Sequence, residues 1–479
     1  MIDWQDFQLS WSPDGEILTI ARFGVRWATL TLGDVTPTAP AELDADEARH
    51  QLTRGAVTVE TRSTFGRAWD LRIMAAHAEP EPVALPPLSW AIDCAAGHVA
   101  WAWGTGAHGL FTLAPADRAG PVLAFTLRAG YLGFVGGDAH PALPGLGDAP
   151  PEPTLMFAPP GFQLAPGRRW VSRVEASVHP HVDAVRALTP GWLVPLHAEA
   201  GETLSLTLPD VGFVPGPGVR LYTEESETLI DGDAGLRQLD LNEARGVTHL
   251  EVSWAPRAQD VLATLAGYAV ASGRPPSAAA AFVVAEAMAA QVVADPQAAD
   301  DYLEAFDGDP ERAIFSAAAL ASEAVRTGRP SRLHHARALL RQAPAGLGFG
   351  RAAMRTWLAG ISLGEDWEGL VDAFARQGEN PLAQLELSLV GYRSAESGIP
   401  ALSGVINRLG GTLPGLPVGL DDVAAASLVG LLDLCPDEWS VSQRAGACAD
   451  KTRRRLRASV VNRPELGLDV MAWLLLGVR

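Results

Sequence analysis

At 479 residues, 48% hydrophobic and 19% charged, the chain is long enough for two or three folded domains and too apolar to be disordered throughout. A net charge of −19 repels nucleic acid and anionic lipid over most of the surface, so neither is an expected partner. Cys94, Cys435 and Cys448, the only cysteines, make no disulfide framework and no CxxC pair, so three free thiols are expected. The start, MIDWQDFQLSW, lacks a basic segment followed by an apolar one, and no run of about 18 apolar residues occurs; a cytoplasmic, non-membrane protein is the simplest expectation.

The first predicted elements are two strands within residues 17–32, ILTIARF and VRWATLTL, rich in β-branched and aromatic side chains. Ser12-Pro13-Asp14-Gly15 before them is a turn, with Pro presetting one corner and Gly free to take φ > 0. LSWSPDGEILTI resembles the blade hairpin of Tol-type propellers. A propeller repeats that unit several times; one copy predicts an isolated hairpin. Further strands are expected at 56–62, 68–74, 88–94, 98–103, 122–127 and 170–178. No helical period intervenes before residue 184, which argues against a parallel βαβ sheet and for an antiparallel sandwich over 1–190. The Gly/Pro-rich stretch 136–167 reads as a long surface loop or a cover over one end. A second block, 191–255, contains GETLSLTLPD, in which Leu204, Leu206 and Leu208 alternate with Thr203, Ser205 and Thr207. Its small size favours closure of the first sheet over an independent unit.

The pattern changes at Trp254-Ala255-Pro256. Ten of the 14 Trp and nine of the 11 His precede Pro256. Beyond it, 256–479 reads as about twelve helices joined by short loops. Pro256 suits a helix start and Gly273 its end; Ser277 suits the next cap, Asp309-Pro310 a further start, Gly328 its close and Ser331 the following cap. Trp367, Leu370, Val371 and Phe374 share one helical face, as do Leu468, Met471, Ala472 and Leu475. Sequential helices become antiparallel hairpins, stacked as an open solenoid or closed into an α/α toroid. The fold class expected is therefore an antiparallel β-sandwich-like region followed by an all-α helical-hairpin domain.

Four groups carry candidate chemistry. Trp101 and Trp103 share a strand face, and Gly104, Gly106, His108 and Gly109 follow; indoles beside a Gly-rich loop suit stacking on a sugar ring, and equally a sandwich core. His179, His181 and Asp183 offer imidazoles and a carboxylate to a divalent ion, although Pro180 also marks a strand end. Asp300, Asp301 and Glu304 form an acidic helical turn that suits acid–base chemistry or a solvated helix start. Glu286, within FVVAEAMAAQVV, is a carboxylate on an apolar helix that needs a partner if buried. Of the basic segments, His334-His335 with Arg332, Arg337 and Arg341 reads as a solvated face, and Arg453, Arg454, Arg455 and Arg457 as an intramolecular or partner contact. There is no Walker loop, strand-linked GxGxxG, GxSxG or HExxH, and no cofactor is implied.

Two functions fit this organisation. One is a non-catalytic interaction protein, with helical hairpins presenting a surface to a protein partner. The other is a carbohydrate-active enzyme with a Trp-lined cleft at the β/α junction. A β-sandwich leading into α/α helices resembles, in outline over the whole chain, several glycosidase and glycan-phosphorylase families; that resemblance implies a glycan partner and carboxylate catalysis. The interaction protein is placed slightly ahead, since it requires no unseen active site.

Overall fold

Alternating burial builds the N-terminal half. Trp69, Leu71, Ile73 and Ala75 turn inward along the strand Trp69–His77, and Val57 and Val59 do so on Val57–Phe65 beside it. The computed structural model describes residues 1–32, 36–38, 42–86, 88–135, 153–190, 196–206, 212–224, 227–391, 396–417 and 419–477. Two antiparallel sheets face each other across this core. The first has seven strands, running in space from Ile2–Trp4 to Gly133–Val135 and including the paired Phe7–Trp11 and Ile17–Arg22; the second has nine. Indoles and phenyl rings from both sheets, among them Trp4, Phe7, Trp27, Trp69 and Phe125, meet edge-on between them. The predicted turn closes as expected: Gly15 has φ +76°, and a Cβ there would lie 2.4 Å from His50 Nδ1.

Each predicted strand of 1–190 is present. Glu47–Arg54 and Leu110–Pro115 are the longest of several that the sequence did not mark. Polar side chains interrupt the first, and the second is buried on both faces, so neither alternates cleanly. Of the Gly/Pro-rich stretch, 136–152 lies outside the described residues. Its remainder is structured: Thr154–Met156 joins the seven-stranded sheet and Gln163–Leu164 pairs with Val83–Ala84.

The strands of the second block do not extend the sandwich. Gly212–Pro215, Gly235–Glu243 and Gly246–Ala255 form an antiparallel sheet, to which His197–Glu199 adds in parallel, and Leu204–Leu206, Glu227–Gly232 and Val219–Glu224 form another. Leu208 of the alternating segment lies outside the described residues. The link to the sandwich is Thr105–Gly106, directly after Trp103, paired with His249 and Thr248. Gly106 is required there, because its φ is +130° and a Cβ would sit 2.0 Å from the Val247 carbonyl oxygen.

Among the described residues twelve α-helices follow: α1 Ala258–Ala271, α2 Ala278–Ala289, α3 Pro296–Glu304, α4 Ala313–Thr327, α5 Pro330–Gln342, α6 Phe349–Ser362, α7 Leu370–Ala375, α8 Pro381–Val390, α9 Ile399–Arg408, α10 Asp422–Leu432, α11 Ser442–Ser459 and α12 Pro464–Leu475. Even-numbered helices pack side by side, α2 on α4, α4 on α6 and α6 on α8, while α12 packs on both α10 and α2. Odd-numbered helices flank them. The last hairpin thus returns to the first, which makes a closed ring rather than an open solenoid. Composition explains the layering. α2 is apolar all round and buried on nearly every face; α5 and α11 carry charged outer faces.

Local signals hold with three exceptions, the first being Pro256, which lies ahead of the Arg257 N-cap rather than at the first position of α1. Ser277 accepts a hydrogen bond from Ala280 N, Asp309 caps a short 3₁₀ turn ahead of α4, and Gly328 ends α4 at φ +66°. Ser331 is not a cap, because Pro330 already takes the first helical position and Ser331 falls inside α5. The Trp367 face is cut short: α7 begins only at Leu370, and Val371 is exposed.

Inside the ring, Arg351 and Glu386 are fully buried against each other. The Glu386 carboxylate accepts from Gly348 N at 2.7 Å and Arg351 N at 2.9 Å at the start of α6, where the helix dipole favours an anion. Arg351 Nη2 donates to Glu386 and to the Ser427 carbonyl, both at 3.2 Å, and so ties α6 to α8 and α10. A larger apolar core runs from this ring through the second β block to the outer face of the sandwich.

Candidate functional site

Glu286 lines a cavity of about 480 Å³ at the C-terminal ends of α2 and α4 and beside α6. It is the lone charged residue of α2 and so cannot join the apolar packing on either side. Ser322 Oγ–H on α4 donates to Glu286 Oε1 at 2.6 Å. Arg355 on α6 pairs with the same oxygen, passes over the Phe282 ring at 5.0 Å and donates from Nη1 to the Leu475 carbonyl at 3.1 Å. The carboxylate expected to need a partner therefore has two, and both fix its orientation.

Arg326 also lines the cavity, on the last turn of α4, one turn beyond Ser322. Glu323 and Asp300 pair with it, and their hydrogen bonds, Glu323's first, hold its pKa above the ordinary arginine value. Both guanidiniums sit where helix C-termini present unpaired carbonyls, which favours cations. Val325 and Leu358, 44% and 41% exposed, form an apolar rim, and Ser362 adds a further hydroxyl. The cavity thus offers one oriented carboxylate, two guanidinium forks, hydroxyls and an apolar edge. These are the functional groups that hold a polar ligand with C–H faces.

The other carboxylates of the acidic turn do not enter it. Asp300 stands behind Arg326; Asp301 accepts from Gln297 Nε2 at 2.9 Å, and Glu304 pairs with Arg329 and Arg332. Glu286 is the one carboxylate among the lining residues. Hydrolysis by two facing carboxyl groups has no second partner there.

Trp101 and Trp103 are 1% and 8% exposed. They project from the outer face of the sandwich into the core shared with the helices, while Ala100 and Ala102 face inward. Trp101 Nε1 donates to the Pro414 carbonyl at 2.9 Å, in the loop between α9 and α10. His108 Nε2 meets Glu243 at 2.8 Å. Neither indole offers an open face to a ligand. They join the two halves of the chain, and the stacking site expected around Trp101, Trp103 and His108 is withdrawn on that ground.

The metal candidates are likewise divided among local tasks. His179 meets Ser177 Oγ at 2.9 Å; His181 Nδ1 accepts from Ala184 N as a helix cap. Asp183 accepts from Thr412 N at 2.9 Å and pairs with Arg444 Nε at 2.6 Å, so it too fastens the α9–α10 loop. No cluster of three His, Cys, Asp or Glu able to hold a metal occurs among the described residues. His334 and Arg337 both reach Glu365. Arg326, Arg355 and Ser322 were not marked by sequence. The available signal was weak: one Arg in the last turn of the Ala-rich α4 and one in the middle of α6.

The sequence matches no protein-family profile and no curated protein. In fold, the chain is similar to a solved Polysaccharide Lyase, BACCELL_00875, with a TM-score of 0.59 at 11% identity over 95% of this chain and 82% of that one. A heparinase III and a glycoside hydrolase of family 81 from Clostridium thermocellum also match, at 6% and 8% identity; the first covers 50% of this chain and 36% of its own, the second 84% and 67%. Their TM-scores of 0.22 and 0.19 are too low to equate the folds. The β-then-α architecture is thus shared with a polysaccharide lyase. Nothing comparable speaks for the interaction protein placed first on sequence. No helix among the described residues is long and apolar enough to cross a membrane.

Proposed function

We propose that this is a carbohydrate-active protein and that a glycan occupies the cavity of Glu286, Arg326 and Arg355. The observation that carries the reading is the likeness of 95% of the chain to the fold of a polysaccharide lyase. The cavity adds chemical sense. Glu286, oriented by Ser322 and Arg355, accepts a hydrogen bond or a proton from the sugar. Arg326 donates to hydroxyl or acidic oxygens, and Val325 and Leu358 cover a C–H face.

The test is affinity electrophoresis of the full chain through gels containing neutral and acidic polysaccharides, with Glu286→Gln and Arg326→Ala alongside. At least one polysaccharide should retard the wild type, and each variant should bind it roughly tenfold more weakly, the scale of losing a hydrogen bond to a charged group. Wild-type migration unchanged in every gel would end the proposal, as would equal retardation of the variants.

A further inference from the structure

A second cavity, of about 410 Å³, lies where the second β block meets the ring. Its chemistry differs from that of the first. Arg453, Arg454 and Arg457 of α11 line one wall, with the acids Glu199 and Asp450 also at the cavity, so arginines outnumber carboxylates there on a chain of net charge −19. Their neighbour Arg455 points away, to Glu251 and Asp422. The facing wall is apolar: Met471, Leu474 and Leu475 of α12.

The acids present do not use up the cationic donors. Glu199 alone serves both Arg454 and Arg457, at 3.4 and 2.6 Å. Arg453 takes Asp433 and, at 3.3 Å, the exposed Asp450. Arg454, with 45% of its side chain exposed, meets Glu199 through Nε and makes no hydrogen bond among the described residues. Its two terminal nitrogens remain for a ligand. Ala258, the first residue of α1, completes the lining; Arg257 at its N-cap makes no side-chain capping bond. The positive end of the α1 dipole therefore borders the same space.

We infer that this junction cavity is a binding site for a small organic anion, a phosphate ester or carboxylate on an apolar or sugar-like body. The guanidinium fork matches the planar or tetrahedral oxygens of such a group, and the α1 dipole favours its charge. The wall of α12 takes the body, and the volume is that of a small-molecule site rather than of a bare ion. The inference does not depend on the glycan reading. The last turn of α12 separates the two cavities, with Leu474 and Leu475 on one side and Gly477 on the other.

Calorimetric titration of the full chain tests it with glucose 6-phosphate, glucuronate, glucose and inorganic phosphate as probes. Glucose 6-phosphate or glucuronate should bind, and which of the two binds identifies the anionic group; glucose should not, and inorganic phosphate should bind more weakly than the organic anion. Arg454→Gln should weaken binding roughly tenfold or more, with Arg454→Lys between it and the wild type. Arg326→Gln, in the other cavity, should leave the affinity unchanged. Thermal melts of each variant matching the wild type establish that the loss is local; Arg454 makes no hydrogen bond that folding needs. The inference is overturned if neither organic anion binds, if Arg454→Gln binds as the wild type does, or if Arg326→Gln abolishes the signal.

Discussion

Replacing Glu386 by Gln should destabilise the helical ring by about 3–5 kcal/mol, the cost of leaving one member of a buried ion pair without the other. Both side chains are 0% exposed. Three donors converge on the carboxylate: Gly348 N, Arg351 N and Arg351 Nη2. A glutamine keeps one acceptor oxygen and turns an N–H₂ group toward the remaining donors, while the guanidinium stays charged in the core. Arg351 is poorly satisfied even in the wild type, since its Nε and Nη1 have no partner among the described residues. The double variant Arg351→Met/Glu386→Leu removes the charge as well as its partner. It loses the cap on α6, worth about 1 kcal/mol, and regains the desolvation of two ions, so it should lie well above the single variant and near the wild type. Equilibrium urea unfolding followed by far-UV circular dichroism measures both. A Glu386→Gln transition within about 1 kcal/mol of the wild type, or a double variant no more stable than the single one, would refute the reasoning.

Three further outcomes are expected. His50 is buried with neither ring nitrogen hydrogen-bonded among the described residues, and burial lowers its pKa from 6.5 to about 4. Between those values the unfolded chain takes up a proton that the folded chain does not, so stability falls as pH drops through that window; His50→Leu should flatten the fall in acid melts, His197, lowered to about 3, accounting for part of what remains, and an unchanged acid slope would contradict this. Trp101→Ala should lower stability by about 3–5 kcal/mol by emptying the seam between sandwich and ring, and an unaltered melting curve would show that the seam carries no such energy. Cys94, Cys435 and Cys448 are unpaired, and burial raises each thiol to about 11; labelling should be slow in the native protein and reach three groups on denaturation without reductant, whereas one reactive group would reveal a bridge.

Local rules read the fold well wherever backbone geometry depends on nearby residues. Ser277, Gly328 and Gly15 act within a turn of themselves, and the strand and helix periods either side of Pro256 are local too. Ring closure was not legible, because it depends on α12 meeting α2, nearly two hundred residues away along the chain, through ordinary aliphatic contacts. That the second β block makes sheets of its own escaped for a related reason: short strands pair alike whichever sheet they join, and Gly106 decides the link by a close approach to Val247. For the cavity, Glu286 stood out as a charge on an apolar helix. Arg326 and Arg355 did not, since an arginine on a helix usually only faces water. The indoles misled in the opposite direction: Trp101 and Trp103 carry the surface area of a stacking site and spend it between two packed faces.

Hydrogen–deuterium exchange of the full chain, with and without the oligosaccharide that corresponds to its best-retarding polysaccharide, locates the bound glycan. Exchange should slow in α2, α4 and α6 around Glu286, Arg326 and Arg355, with the strand His98–Trp103 unchanged. Protection confined to that strand, or no protection anywhere under saturating oligosaccharide, would contradict the proposed site.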